Sequence, residues 1–97
     1  MIQDRYKKEI IEIIRKYLGP CQIYLFGSRA RGSNQPNSDI DIAIDTGARA
    51  DWRTIVRIKQ ELDEQTTIPF KIDVVDLQSA NESFKEEIIK DYILWTN

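Results

Sequence analysis

Apolar residues recur every three to four positions along the first stretch of the chain: Tyr6, Ile10, Ile11, Ile14, Tyr17 and Leu18. That period predicts an amphipathic helix over Asp4 to Leu18, and Gly19-Pro20 is its stop. The pattern then shortens. Cys21 to Phe26 is a compact apolar run after a breaker, which reads as a strand ended by Gly27-Ser28. Ser28 to Arg31 fits a single helical turn with Ser28 near its cap, and Gly32 to Ser38 is loop. From Asp39 to Asp45, isoleucines alternate with acidic or small residues at period two. A second strand follows, with isoleucines toward a core and carboxylates on the opposite face.

After a loop at Thr46 to Ala50, Asp51 is placed to cap a helix carrying Trp52, Ile55, Val56, Lys59 and Leu62 along one stripe. Thr66, Thr67 and Pro69 break it. Phe70 to Leu77 reads as a third strand, with Asp73 and Val75 sharing one face. Ser79-Ala80-Asn81-Glu82 has capping-box form, and the last helix then spaces Phe84, Ile88, Tyr92 and Trp95 along one side. The expected order is α-β-(turn)-β-α-β-α, an α/β (α+β) layer fold with a small mixed sheet covered by helices. The link between the first two strands, roughly a dozen residues, makes an ordinary crossover barely possible and favours a mixed or antiparallel pairing.

Length and charge narrow this further. At 97 residues the expectation is one domain, 1–97, with one core. A balance of 14 basic and 16 acidic residues argues against a dedicated nucleic-acid binder, which concentrates positive charge. No stretch approaches the ~20 apolar residues of a membrane span, and no signal-peptide pattern opens the chain. Cys21, the one cysteine, reads as a small apolar residue in a reducing compartment, so a cytoplasmic location is expected. The terminal Tyr92-Ile93-Leu94-Trp95 is apolar on more than one face. It reads either as a partner surface, in a homo- or hetero-oligomer, or as a well-buried last turn.

The candidate chemistry sits in Gly27-Ser28 followed, after ten residues, by Asp39-Ile40-Asp41. Side chains at i and i+2 of a strand share a face, about 6.5–7 Å apart. Two carboxylates held that close repel unless a cation lies between them. Mg²⁺ takes oxygen ligands, typically one or two carboxylates plus substrate phosphates, and two such ions can clamp an in-line displacement. A strand entering Gly-Ser at a helix start aims free N–H groups at one point, where phosphate is favoured. Gly27 permits close approach, Ser28 offers a hydroxyl, and Arg29 or Arg31 could add charge. The spaced pattern would arise by accident in roughly one chain in a thousand of this length. It is no P-loop, because Ser33-Asn34 stands where Lys-Ser/Thr belongs. Asp73, in an otherwise apolar strand, is the leading third acid, either as a metal ligand or as a general base. Asp45 at a strand end and Asp76 on the opposite face rank lower.

Gly27-Ser28-x10-Asp39-x-Asp41 with a later Asp73 resembles the DNA polymerase β-type nucleotidyltransferase superfamily. Phe26 to Gly32 and Ser38 to Asp41 are most similar to its minimal nucleotidyltransferase (MNT) branch. The resemblance implies a mixed sheet with helices on one side, with Mg²⁺ (two ions) at Asp39, Asp41 and Asp73. ATP or another NTP would place its phosphates at Gly27-Ser28, and Asp73 would lie nearest the attacking hydroxyl. It also implies an antitoxin role toward an all-helical HEPN toxin, with AMP transferred to a hydroxyl, tyrosine foremost. The alternatives are an antitoxin that neutralises by binding alone, or nucleotidylation of a small molecule.

Overall fold

A computed structural model describes residues 2–96. Its elements are α1 (Asp4–Leu18), β1 (Gln22–Phe26), α2 (Ser28–Arg31), β2 (Ile40–Asp45), α3 (Trp52–Glu64), β3 (Ile72–Asp76), α4 (Glu82–Asp91) and β4 (Ile93–Leu94). A single 3₁₀ turn, Leu77–Ser79, links β3 to α4. The strands form one sheet in the order β3-β2-β1-β4. β1 runs antiparallel to both β2 and β4, while β2 and β3 are parallel. The brief β1–β2 link thus closes an antiparallel pair, as expected from its length.

Period-two alternation divides this sheet into two unlike faces. Ile23 and Leu25, Ile40, Ile42 and Ile44, and Ile72 and Val74 all point to one side. There they meet Ile10 and Ile14 of α1 and Ile55, Ile58 and Leu62 of α3, closing the main core. Fully burying an isoleucine contributes about 1.5–3 kcal/mol, so this layer supplies most of the stabilisation. Lys16 and the Tyr17 hydroxyl, both on α1, bond to Glu61 on α3 and tie the two helices at their outer edge.

The other face carries Tyr24, Phe26, Ala43 and Val75, packed under Leu77, Ile88 and Tyr92. Helices therefore lie on both sides of the sheet rather than on one, because buried Ile88 draws α4 across the back of β1. This smaller layer includes a parallel stack of Tyr24 on Tyr92, with centroids 4.2 Å apart.

Several expected boundaries shift. α4 ends at Asp91, and the residues beyond it form β4 rather than a last helical turn. The open edge of β1 decides this: Trp95 N–H donates to the Ile23 carbonyl, and Ile23 N–H donates to the Thr96 hydroxyl. Asn81, not Ser79, caps α4, accepting the Phe84 N–H on its side chain; Ser79 donates its hydroxyl to Asp76 instead. On α3 the buried stripe is Ile55-Ile58-Leu62, which leaves Trp52 69% exposed and Val56 exposed beside it. β2 begins at Ile40, and β3 is confined to Ile72–Asp76.

Candidate active site

The acids gather where β1 ends and β2 and β3 begin. Asp41 is the register partner of Phe26 on one side and of Asp73 on the other, so one row crosses the sheet as Phe26-Asp41-Asp73. Neighbouring strands are about 4.8 Å apart, which sets the two carboxylates side by side on the face that α4 only partly covers. Both are half-buried. Asp39 stands exposed just ahead of β2, two positions upstream of Asp41. Burial, and then the negative charges of Asp73 and Asp39, push the Asp41 carboxyl above the ordinary aspartate range; Arg31 and Arg29 pull weakly the other way.

Gly27 closes the row from β1. Its φ of +77° is a conformation that side chains with a Cβ rarely adopt. A Cβ there would lie 3.1 Å from Asp41 Cγ and closer still to Oδ2. The glycine therefore both turns the chain into α2 and leaves room for the Asp41 carboxylate. It also occupies the N-cap of α2, with Ser28 as the first helical residue. The first N–H groups of a helix have no carbonyl behind them, so this end offers donors beside the acid row.

The two arginines are differently engaged. The Arg29 guanidinium donates twice to the Ser38 carbonyl, at 3.1 and 2.8 Å, and lies 4.4 Å above the Phe70 ring. It thereby pins the Gly32–Ser38 loop that leads to Asp39. Arg31 reaches Asp91 at 3.9 Å and remains exposed. Of the lower-ranked acids, Asp76 is buried and satisfied, accepting from the Ala50 and Gln78 N–H groups and the Ser79 hydroxyl. Asp45 accepts from Gly47 N–H and the Gln78 side chain. Both hold loops at the far end of the sheet. Lys59, assigned from its spacing to the stripe of α3, instead has its ammonium 3.3 Å from Asp73 Oδ1.

Among the described residues, no three His, Cys, Asp or Glu side chains already close on a common point. The acid row is an open ledge rather than a preformed cage. Nor does the cavity beside α2 and β4 enclose it. That cavity, about 560 Å³, lies between the start of α1, α2 and β4, lined by Lys7, Leu25, Arg29, Arg31 and Trp95. On the ledge, facing like charges and open backbone donors coincide.

A family model described as Polymerase beta, Nucleotidyltransferase matches residues 8–96. The chain belongs to this family. It is a nucleotidyltransferase domain with the polymerase β fold. The probable protein adenylyltransferase MntA of Haemophilus influenzae is 31% identical over 86 residues, covering 88% of this chain and 75% of that protein. A solved toxin–antitoxin structure with AMP-PNP superposes with a TM-score of 0.79 at 29% identity, covering 94% of this chain and 73% of that one. A second, from Shewanella oneidensis, is a tri-AMPylated HEPN toxin in complex with an MNT antitoxin. It gives a TM-score of 0.76 at 26% identity, over 99% of this chain and 74% of that one. Among the described residues, no helix of this nucleotidyltransferase is long and apolar enough to cross a membrane.

Proposed function

We propose that this domain transfers AMP from ATP to a hydroxyl, foremost a tyrosine, of a helical HEPN-type partner, and that it acts as that partner's antitoxin in the cytoplasm. The carrying observation is the row in which Asp41 faces Asp73 across β2 and β3, closed by a glycine that has no room for a Cβ. The similar proteins' adenylyltransferase name and their toxin–antitoxin complexes support the acceptor class.

In this reading Gly27 and Ser28 receive the phosphates on backbone N–H groups and the Ser28 hydroxyl, and Arg31 and Arg29 add positive charge. The attacking oxygen of the acceptor forms a bond to the α-phosphorus while the bond to the bridging oxygen of the β-phosphate breaks. Pyrophosphate leaves, and Asp73 accepts the proton of the attacking hydroxyl. Asp39, Asp41 and Asp73 would hold Mg²⁺, two ions in the full site. The donor set fits a hard cation: only oxygens, where burial and then neighbouring negative charge raise the Asp41 carboxyl. An open row also suits an ion whose remaining ligands are phosphate oxygens and water. When bound, the ions would supply charge neutralisation of the phosphates and of the attacking and leaving oxygens.

The test is transfer from ATP labelled at the α-phosphate, with Mg²⁺ and the HEPN-type partner, beside a γ-labelled control. Label should reach the partner from the α position only. Asp41→Asn should lower transfer by at least about a thousandfold while the chain stays folded. Full neutralisation of the toxin by a folded, inactive Asp41→Asn protein would instead favour neutralisation by binding alone.

A further inference from the structure

We propose that Lys59 is a built-in counter-cation of the acid row, a positioning residue that holds Asp73 and must yield that carboxylate when a divalent ion binds. This deepens the metal-dependent transfer proposed above and rests on it. The evidence begins with topology. α3 lies on the isoleucine face of the sheet, whereas Asp73 projects from the opposite face. Lys59 can reach Asp73 because β3 is an edge strand, with no further strand in the way among the described residues. The lysine follows Ile58, which is fully buried, and shares with Val56, Val74 and Val75 a groove of about 490 Å³ along that edge. An apolar groove for the stem and a carboxylate for the head suit a long amphipathic side chain.

Charge supplies the second argument. Among the described residues, the Lys59–Asp73 pair is the one salt bridge made by any of the three candidate acids. Arg29 is committed to the Ser38 carbonyl and the Phe70 ring, and Arg31 leans on Asp91. An ammonium at 3.3 Å from Oδ1 relieves repulsion within the row, yet it also repels and competes with an arriving dication. Both side chains are partly exposed, at 43% and 45%, so the exchange costs little and is reversible.

The experiment titrates Mn²⁺ into the whole chain, without nucleotide, and reads free ion from its electron paramagnetic resonance signal. Lys59→Met, which keeps the stem and removes the charge, should tighten Mn²⁺ binding by roughly two- to fivefold. Lys59→Arg should stay close to the unmodified chain. The gain from Lys59→Met should shrink when Asp73 is already Asn. Unchanged or weaker Mn²⁺ binding by Lys59→Met, folded by circular dichroism, would overturn the assignment of Lys59 and leave the metal site standing. An unmodified chain that binds no Mn²⁺ would overturn both.

Discussion

The two faces of one sheet use the same strands for opposite purposes. On the side of α1 and α3, every second residue of β2 is an isoleucine with no exposed surface, and its neighbours are aliphatic. On the other side the same strand presents Asp41, Ala43 and Asp45, under a thinner layer from α4. Where the first face gains from each contact, the second carries a raised carboxyl, a glycine at positive φ and facing like charges. Stability is thus concentrated on one face, and the cost of chemistry on the other. Because β2 belongs to both, the rigidity of the isoleucine layer is what holds the acids in register.

The contrast breaks if the two faces respond alike to truncation. Ile42→Ala removes a fully buried side chain beside Asp41 and should cost about 2–5 kcal/mol, a large part of such a domain's stability. Val75→Ala, half-buried on the acid face, should cost about 1 kcal/mol or less. Urea melts of the two variants decide the matter. Equal losses would mean that both layers are structural cores.

How far the sequence announced this arrangement differs by element. Asp41 and the isoleucines of β2 were legible because period two is local: a strand fixes which side each residue takes, although Asp39, expected inside that strand, lies just ahead of it. The same alternation separated Asp73 from Asp76, and the structure uses Asp76 to hold loops. The chain end was not legible. Tyr92 to Trp95 fits a helical spacing as well as a strand, and only the open edge of β1, distant in sequence, selects β4. Lys59 was hidden for a similar reason: its reach to Asp73 depends on β3 being outermost. The exposure of Trp52 followed from a misplaced stripe, since Ile58 was left out of the helical face.

A smaller effect sharpens the role of Gly27. Gly27→Ala combines a left-handed backbone with a Cβ driven against the Asp41 carboxylate, and should cost about 1–3 kcal/mol. In an Asp41→Ala background the carboxylate is gone, and the cost should fall toward the backbone penalty alone, about 1 kcal/mol. A double-mutant cycle by thermal melting measures the difference. Strict additivity would show that Gly27 serves the turn and not the acid.

The smallest effect concerns pH. The Asp41 carboxyl is raised in the folded chain, so the native state binds a proton there more readily than the unfolded state does. Native proton uptake in excess of the unfolded state makes stability fall as pH rises from the unfolded aspartate pKa through the raised folded one. Above that window the penalty is fully present; below the unfolded value it vanishes. Without divalent ions, Asp41→Asn should therefore melt a few degrees above the unmodified chain at neutral pH, and the gap should close as pH drops through the carboxylate range. Adding Mn²⁺ should reverse the order, since the intact row gains a ligand that the variant binds poorly. A destabilised Asp41→Asn at neutral pH without metal would mean that the carboxylate is a net structural asset, and the division of labour between the two faces would fail at its central residue.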